Sequence, residues 1–249
     1  MLTEPKHLDA ERFRFMKAVL WDMDGTLVDS EKLWDVSLQA LYARLGGVLT
    51  PEVRDTTVGS SSEGLMRIVY SDLGLDHDPV AMEESADWLH EYTGELFEQG
   101  LAWLPGAREL LDALTEAGVP MALVTNTRRG LTERALKSIG SHYFSASVCG
   151  DEVEHAKPAP DPYLRAAQLL SLEPEQCLAI EDSVTGSLAA EAAGCPILVV
   201  PNDVEVPEGP RRRHVASLAE VDVELLRAIH QQLSERLGVA NGTALNPEL

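Results

Sequence analysis

Lys17-Ala18-Val19-Leu20-Trp21-Asp22-Met23-Asp24-Gly25-Thr26 is the stretch that decides the fold. Its apolar run is too short for a helix and shows no alternation. It therefore reads as a strand buried on both faces, which is the habit of a central parallel strand. The run stops at two carboxylates one residue apart, and Gly25 permits the sharp turn that must follow.

Working outward, the same grammar of apolar run and polar ending recurs. Further strands are expected at 120–125, 143–148, 177–180 and 196–200. Helical patterns separate them, at 106–118, 128–139, 161–170 and 183–193, and a closing helix is expected at 220–237. Strands alternating with helices of this length imply an α/β fold: a Rossmann-like parallel sheet core with helices on both faces. Between the first and second strands the alternation is interrupted. Residues 30–101 carry only helical signals, at 31–45, 62–73 and 79–99, and read as an inserted α-helical domain. The core then comprises residues 1–29 and 102–237, and 238–249 reads as a disordered tail.

Composition narrows the function classes. The 249 residues hold 20 Lys plus Arg against 41 Asp plus Glu, a net charge of −21. Nucleic acid is disfavoured, since phosphate contacts need cations and the acidic surface repels a polyanion. Anionic lipid is disfavoured for the same reason. A small phosphorylated substrate remains allowed, because a metal and a few local cations override the global field. No apolar run spans a bilayer, and the charged first residues hold no signal core, so a cytoplasmic protein is expected. Cys149, Cys177 and Cys195 read as reduced, buried thiols. The Arg211-Arg212-Arg213 cluster reads as a solvated face, and Trp88 and Trp103 as packing residues. A monomer is expected.

In a parallel sheet, ligands collect at the carboxyl ends of the strands. Those ends supply Asp22 and Asp24, Thr125-Asn126-Thr127, Lys157-Pro158 and Glu181-Asp182. Like charges gathered at one edge repel unless a cation sits among them. Hard oxygen ligands beside a lysine and hydroxyls point to Mg²⁺ and a phosphoryl group. Asp22 is the carboxylate placed to attack phosphorus, and Asp24 can lie beside the leaving oxygen.

Four segments, in this order, resemble the haloacid-dehalogenase-like hydrolase superfamily: Asp22-Met-Asp-Gly-Thr-Leu-Val-Asp-Ser-Glu31, Val124-Thr125-Asn126, Lys157-Pro-Ala-Pro-Asp161 and Ile180-Glu-Asp-Ser-Val-Thr-Gly186. The subgroup most similar contains phosphoglucomutase-like sugar phosphatases. The resemblance implies that residues 30–101 form the family's small helical cap. It also implies an aspartyl-phosphate on Asp22, with Asp24 giving a proton to the leaving alcohol and taking one from water. Mg²⁺ would be held by Asp22, the Asp24 main-chain carbonyl, Asp182 and Glu181. Thr125, Asn126 and Lys157 would grip the phosphoryl group.

Asp24 argues for an oxygen leaving group, since members that cleave carbon–halogen bonds usually lack that acid. A phosphatase of small metabolites, sugar phosphates first, is the leading expectation. A β-phosphoglucomutase-like phosphomutase is the alternative. It is disfavoured because the loop Val58-Gly59-Ser60-Ser61-Ser62-Glu63-Gly64 has no arginine before Arg67, and because Trp34 stands where mutases carry a histidine. A non-enzymatic binding protein on this fold is the third reading. Candidate substrate contacts are Trp34, Ser61, Ser62 and Arg67, and His155 is a possible phosphate contact or an exposed loop residue.

Overall fold

A computed structural model of the chain describes residues 15–202 and 205–242. Its centre is a six-stranded parallel sheet in the order β3-β2-β1-β4-β5-β6. The strands are β1 (Ala18–Trp21), β2 (Met121–Val124), β3 (Ala146–Val148), β4 (Cys177–Glu181), β5 (Ile197–Val199) and β6 (Arg212–His214). β1 lies between β2 and β4, with Val19 opposite Met121 on one side and Leu178 on the other.

All four residues of β1 are buried, as a central strand requires. The period of two divides them. Val19 and Trp21 join one apolar cluster with α5 (Ala107–Glu116), α6 (Arg129–Ile139) and α9 (Val223–Gly242). Ala18 and Leu20 join the opposite cluster with α7 (Asp161–Leu169) and α8 (Val184–Ala193). The three cysteines are free and buried, as expected.

Between β1 and β2 stand four helices: α1 (Glu31–Leu45), α2 (Pro51–Thr57), α3 (Ser62–Asp72) and α4 (Pro79–Phe97). They enclose a cluster of their own around Leu41, Tyr42, Met66, Val69 and Leu89. The chain enters and leaves this block side by side: the Asp29 N–H donates to the Ala102 carbonyl at 2.8 Å and Leu104 N–H to Leu27 at 3.0 Å.

Several local expectations need correction. The helix α2 was not anticipated, although Thr50 caps it and Pro51 opens it. A strand was expected from Tyr143, but Ser141–Tyr143 forms a 3₁₀ turn and β3 is confined to Ala146–Val148. The triple arginine is not simply a solvated face. Arg212 is buried in β6 and donates to the Glu191 carboxylate at 2.6 Å, and Arg211 donates to the Gly194 carbonyl. The closing helix extends to Gly242, and residues 243–249 lie outside the described residues. Among the described residues, no helix is long and apolar enough to cross a membrane.

Candidate active site

The chain runs from β1 outward through β2 to β3, then returns to the other side of β1 at β4. This reversal is where an open parallel sheet opens a crevice at its carboxyl edge. Asp22 follows β1, Thr125 follows β2, and Glu181 ends β4. A cavity there is lined by Asp22, Asp24, Thr125, Asn126 and Asp182 from below. Trp34, Arg54, Thr57, Gly59 and Ser60 line it from the helical block.

Lys157 is the electrostatic centre. Its Nζ donates to Asp22 Oδ1 at 2.6 Å, Glu181 Oε1 at 2.7 Å and the Val124 carbonyl at 2.8 Å. Burial works against its charge, yet the Asp22 and Glu181 carboxylates hold its pKa well above the ordinary lysine value. Burial pushes the Asp22 carboxyl up to about 7, against the pull of Lys157 and with Glu181 and Asp24 adding to it. Glu181 is wholly buried and also accepts hydrogen bonds from the Tyr163 hydroxyl and Ser183. Burial beside Glu181 drives the Tyr163 phenol far upward, so it stays a donor.

Asp24 sits in a cage of four donors. Oδ1 accepts from Ser30 Oγ at 2.6 Å and Trp34 Nε1 at 3.2 Å, and Oδ2 from Thr127 Oγ1 at 2.8 Å and Thr125 Oγ1 at 3.3 Å. Two donors come from the core loop after β2, and two from the start of the helical block. The Asn126 amide braces the neighbouring loops. It donates to the Gly59 carbonyl at 2.9 Å and the Lys157 carbonyl at 3.1 Å, and accepts from the Lys157 N–H at 2.9 Å.

The donor set suits a hard divalent cation. Asp22, Glu181 and Asp182 each offer a buried carboxylate oxygen, and these lie within 4.8 Å of one another. Lys157 is the cation set against Asp22 and Glu181, and a divalent ion would offset the negative charge gathered in so buried a site. The backbone is shaped for the crowding. Gly25 has φ +81°, and a Cβ there would stand 2.1 Å from Asp182 Oδ2. A Cβ on Gly186 would stand 2.0 Å from Glu181 Oε2.

Three of the four candidate substrate contacts do not meet at this cavity. The Ser61 hydroxyl is taken up in capping α3, where it accepts from the Gly64 N–H at 3.2 Å. Arg67, one turn further along, faces solvent and pairs with Glu63 at 2.6 Å. Ser62 and Arg67 border a separate groove on the helical block. Trp34 does reach the cavity, and packs edge-on against Phe97 and His90 as well. His155 is exposed near Asp161, away from the cavity. Thr127, named with the end of the second strand, bonds Asp24. Ser30, Arg54, Thr57 and Tyr163 also belong to the assembly but were not singled out from sequence; of these only Ser30, inside the first motif, carried a local signal.

Residues 16–194, which contain all four segments, match a known family model, that of the haloacid dehalogenase-like hydrolases. The chain is a haloacid dehalogenase-like hydrolase. Hexitol phosphatase A of Escherichia coli K12 is 34% identical over 195 residues, covering 77% of this hydrolase and 86% of that enzyme. Phosphoglycolate phosphatase of the same strain is 32% identical over 204 residues, covering 74% and 81%. Among solved structures, CbbY from Rhodobacter sphaeroides in complex with phosphate superposes with a TM-score of 0.77 at 27% identity, over 85% of this chain and 99% of that one. A β-phosphoglucomutase from Clostridium difficile, at 18% identity and TM-score 0.75, shares the fold.

Proposed function

We propose that this hydrolase is a Mg²⁺-dependent phosphatase of small phosphorylated metabolites, working through an aspartyl-phosphate on Asp22. The observation that carries the reading is the pairing of two aspartates two residues apart in opposite settings. Asp22 is clamped by a lysine, and Asp24 is held by four hydrogen-bond donors from core and helical block together. Environments that separate two carboxylates in this way assign different roles to them.

Lys157 fixes Asp22 Oδ1, and the other carboxylate oxygen attacks phosphorus. As the bond from phosphorus to the leaving oxygen breaks, Asp24 passes its proton to that oxygen. Asp24 then takes a proton from a water that attacks the phospho-aspartate, and inorganic phosphate leaves with Asp22 restored. Thr125 and Lys157 hold the phosphoryl oxygens, and Asn126 contributes by bracing the Lys157 main chain. Asp22, Asp182, Glu181 and the Asp24 carbonyl would hold Mg²⁺, which when bound neutralises the carboxylates and charge developing on the phosphoryl oxygens. Residues 30–101 act as a cap over a core drawn from the described residues of 15–29 and 102–237, and exclude bulk water from the reacting centre.

Several features support hydrolysis over phosphoryl exchange between sugar positions. A mutase needs a cap arginine with its charge available to a second phosphate; Arg67 points away, and Arg54, which lines the cavity, is paired with Asp35. The two curated relatives compared above are both named phosphatases. The test is phosphate release across sugar, polyol, nucleotide and glycerol phosphates, with Mg²⁺ and with EDTA. Magnesium-dependent release is the expected result. Isomer formation with a bisphosphate primer, and little free phosphate, would overturn it.

A further inference from the structure

We propose that the Arg54–Asp35 pair sets the cap to accept a neutral, polyhydroxylated leaving group and to reject one carrying a second anion. This rests on the phosphatase reading above and deepens it. Arg54 is the one cation among the described residues lining the cavity. It stands on α2, its side chain is only 14% exposed, and its Nε is paired with Asp35 of α1. Its Nη1 also donates to Thr57 Oγ1 at 3.1 Å.

A second anion on the substrate needs an uncompensated positive charge at its binding site. Desolvating a carboxylate or phosphate without one costs more than its hydrogen bonds return. Here Asp35 cancels the charge of Arg54. Lys157 is already committed to Asp22 and Glu181, and Arg128, further out, to Glu83 and Asp87. The nearest cavity walls, Asp22, Asp24 and Asp182, are carboxylates and add no cation for a second anion. What the cap offers instead are groups that both donate and accept, such as Thr57 and Ser60. Sugar and polyol hydroxyls match that chemistry.

The experiment compares kcat/KM for a hexitol phosphate, phosphoglycolate and p-nitrophenyl phosphate, in wild type and in Asp35→Asn. Wild type is expected to favour the hexitol phosphate over phosphoglycolate by about tenfold or more. Asp35→Asn uncovers the Arg54 charge, and should shift that ratio about tenfold toward phosphoglycolate. A wild type that prefers phosphoglycolate overturns the proposal. So does an Asp35→Asn protein that changes its melting temperature and leaves the ratio where it was, because the pair then only ties α2 to α1. Should Asp35→Asn not fold, the neutral double variant Arg54→Gln with Asp35→Asn decides, because it removes both charges of the pair. The ratio of hexitol phosphate to phosphoglycolate must then stay at the wild-type value, and a further loss confined to phosphoglycolate overturns the proposal, since the Arg54 charge would then have been acting on the second anion. Failure of wild type to release phosphate from p-nitrophenyl phosphate overturns the phosphatase reading itself, which separates the two failures.

Discussion

Replacing Trp34 with phenylalanine keeps the ring that packs on Phe97 and His90 and deletes one donor, the indole N–H bonded to Asp24 Oδ1 at 3.2 Å. A hydrogen bond to a charged group contributes about 1.5–3 kcal/mol, and this one is longer than its neighbours from Ser30 and Thr127. We therefore take about 1–2 kcal/mol for its part in positioning Asp24, which is roughly a 5–30-fold effect on a step that needs Asp24 in place. The step in question is proton delivery to the leaving oxygen. An alkyl alkoxide needs that proton, whereas p-nitrophenolate leaves without it. Trp34→Phe should lower kcat on a polyol phosphate by about that factor, and lower kcat on p-nitrophenyl phosphate by about threefold or less. Both constants come from steady-state phosphate release under saturating Mg²⁺. Equal losses on the two substrates would refute the reasoning. So would a change confined to KM, since Trp34 would then be a substrate contact.

Asp22→Asn should abolish turnover. Because burial raises the Asp22 pKa from 3.8 to about 7, the folded protein holds a proton there that the unfolded chain releases, so the wild type loses stability as pH rises through that window. In EDTA at pH 8, Asp22→Asn is thus expected to melt no lower than wild type, and a clearly lower melting temperature would contradict the burial penalty. His90 works in the other direction: burial, aided by Arg128, lowers its pKa to about 4, and its buried Nδ1 has no hydrogen-bond partner. The unfolded chain protonates first on acidification, so stability is lost as pH falls from about 6.5 toward 4, on the order of 1–2 kcal/mol by pH 5. Denaturant titrations at pH 7.5 and pH 5 should show His90→Gln losing less than wild type. Gly186→Ala forces a methyl against Glu181, which Lys157 and Tyr163 hold in place. It is expected to cost about 1–3 kcal/mol by calorimetry and to lower activity, and an unchanged melting temperature would show that Glu181 can move.

The core of this molecule was legible because its signals are local. Ala18–Trp21 and Cys177-Leu-Ala-Ile180 are continuous apolar runs, and only a strand covered on both sides buries every side chain of such a short run. The strand ends then place Asp22, Asp24, Thr125 and Glu181 at one edge by topology alone. Elements with weak periodicity escaped. The helix Pro51–Thr57 is a single capped segment without an amphipathic stripe. The strand Arg212–His214 is made of charged residues, and Arg212 becomes a buried residue only because Glu191 of α8 meets it.

The carboxylate edge of the sheet is written locally in the chain, since each carboxylate and the lysine are tied to the end of a strand or the loop after it, whose direction a parallel sheet dictates. The roof of the cavity is not, because it depends on how separate helices pack. Ser61 and Arg67 follow Gly59 closely, yet α3 spends the one as its N-cap and turns the other, in its second turn, to solvent. Arg54 and Trp34 come from two different helices, and whether their side chains face Asp24 depends on how α1 and α2 rotate about their own axes. That rotation follows from packing around Leu41, Met66 and Leu89, a condition spread across the whole block and written in no single stretch of it.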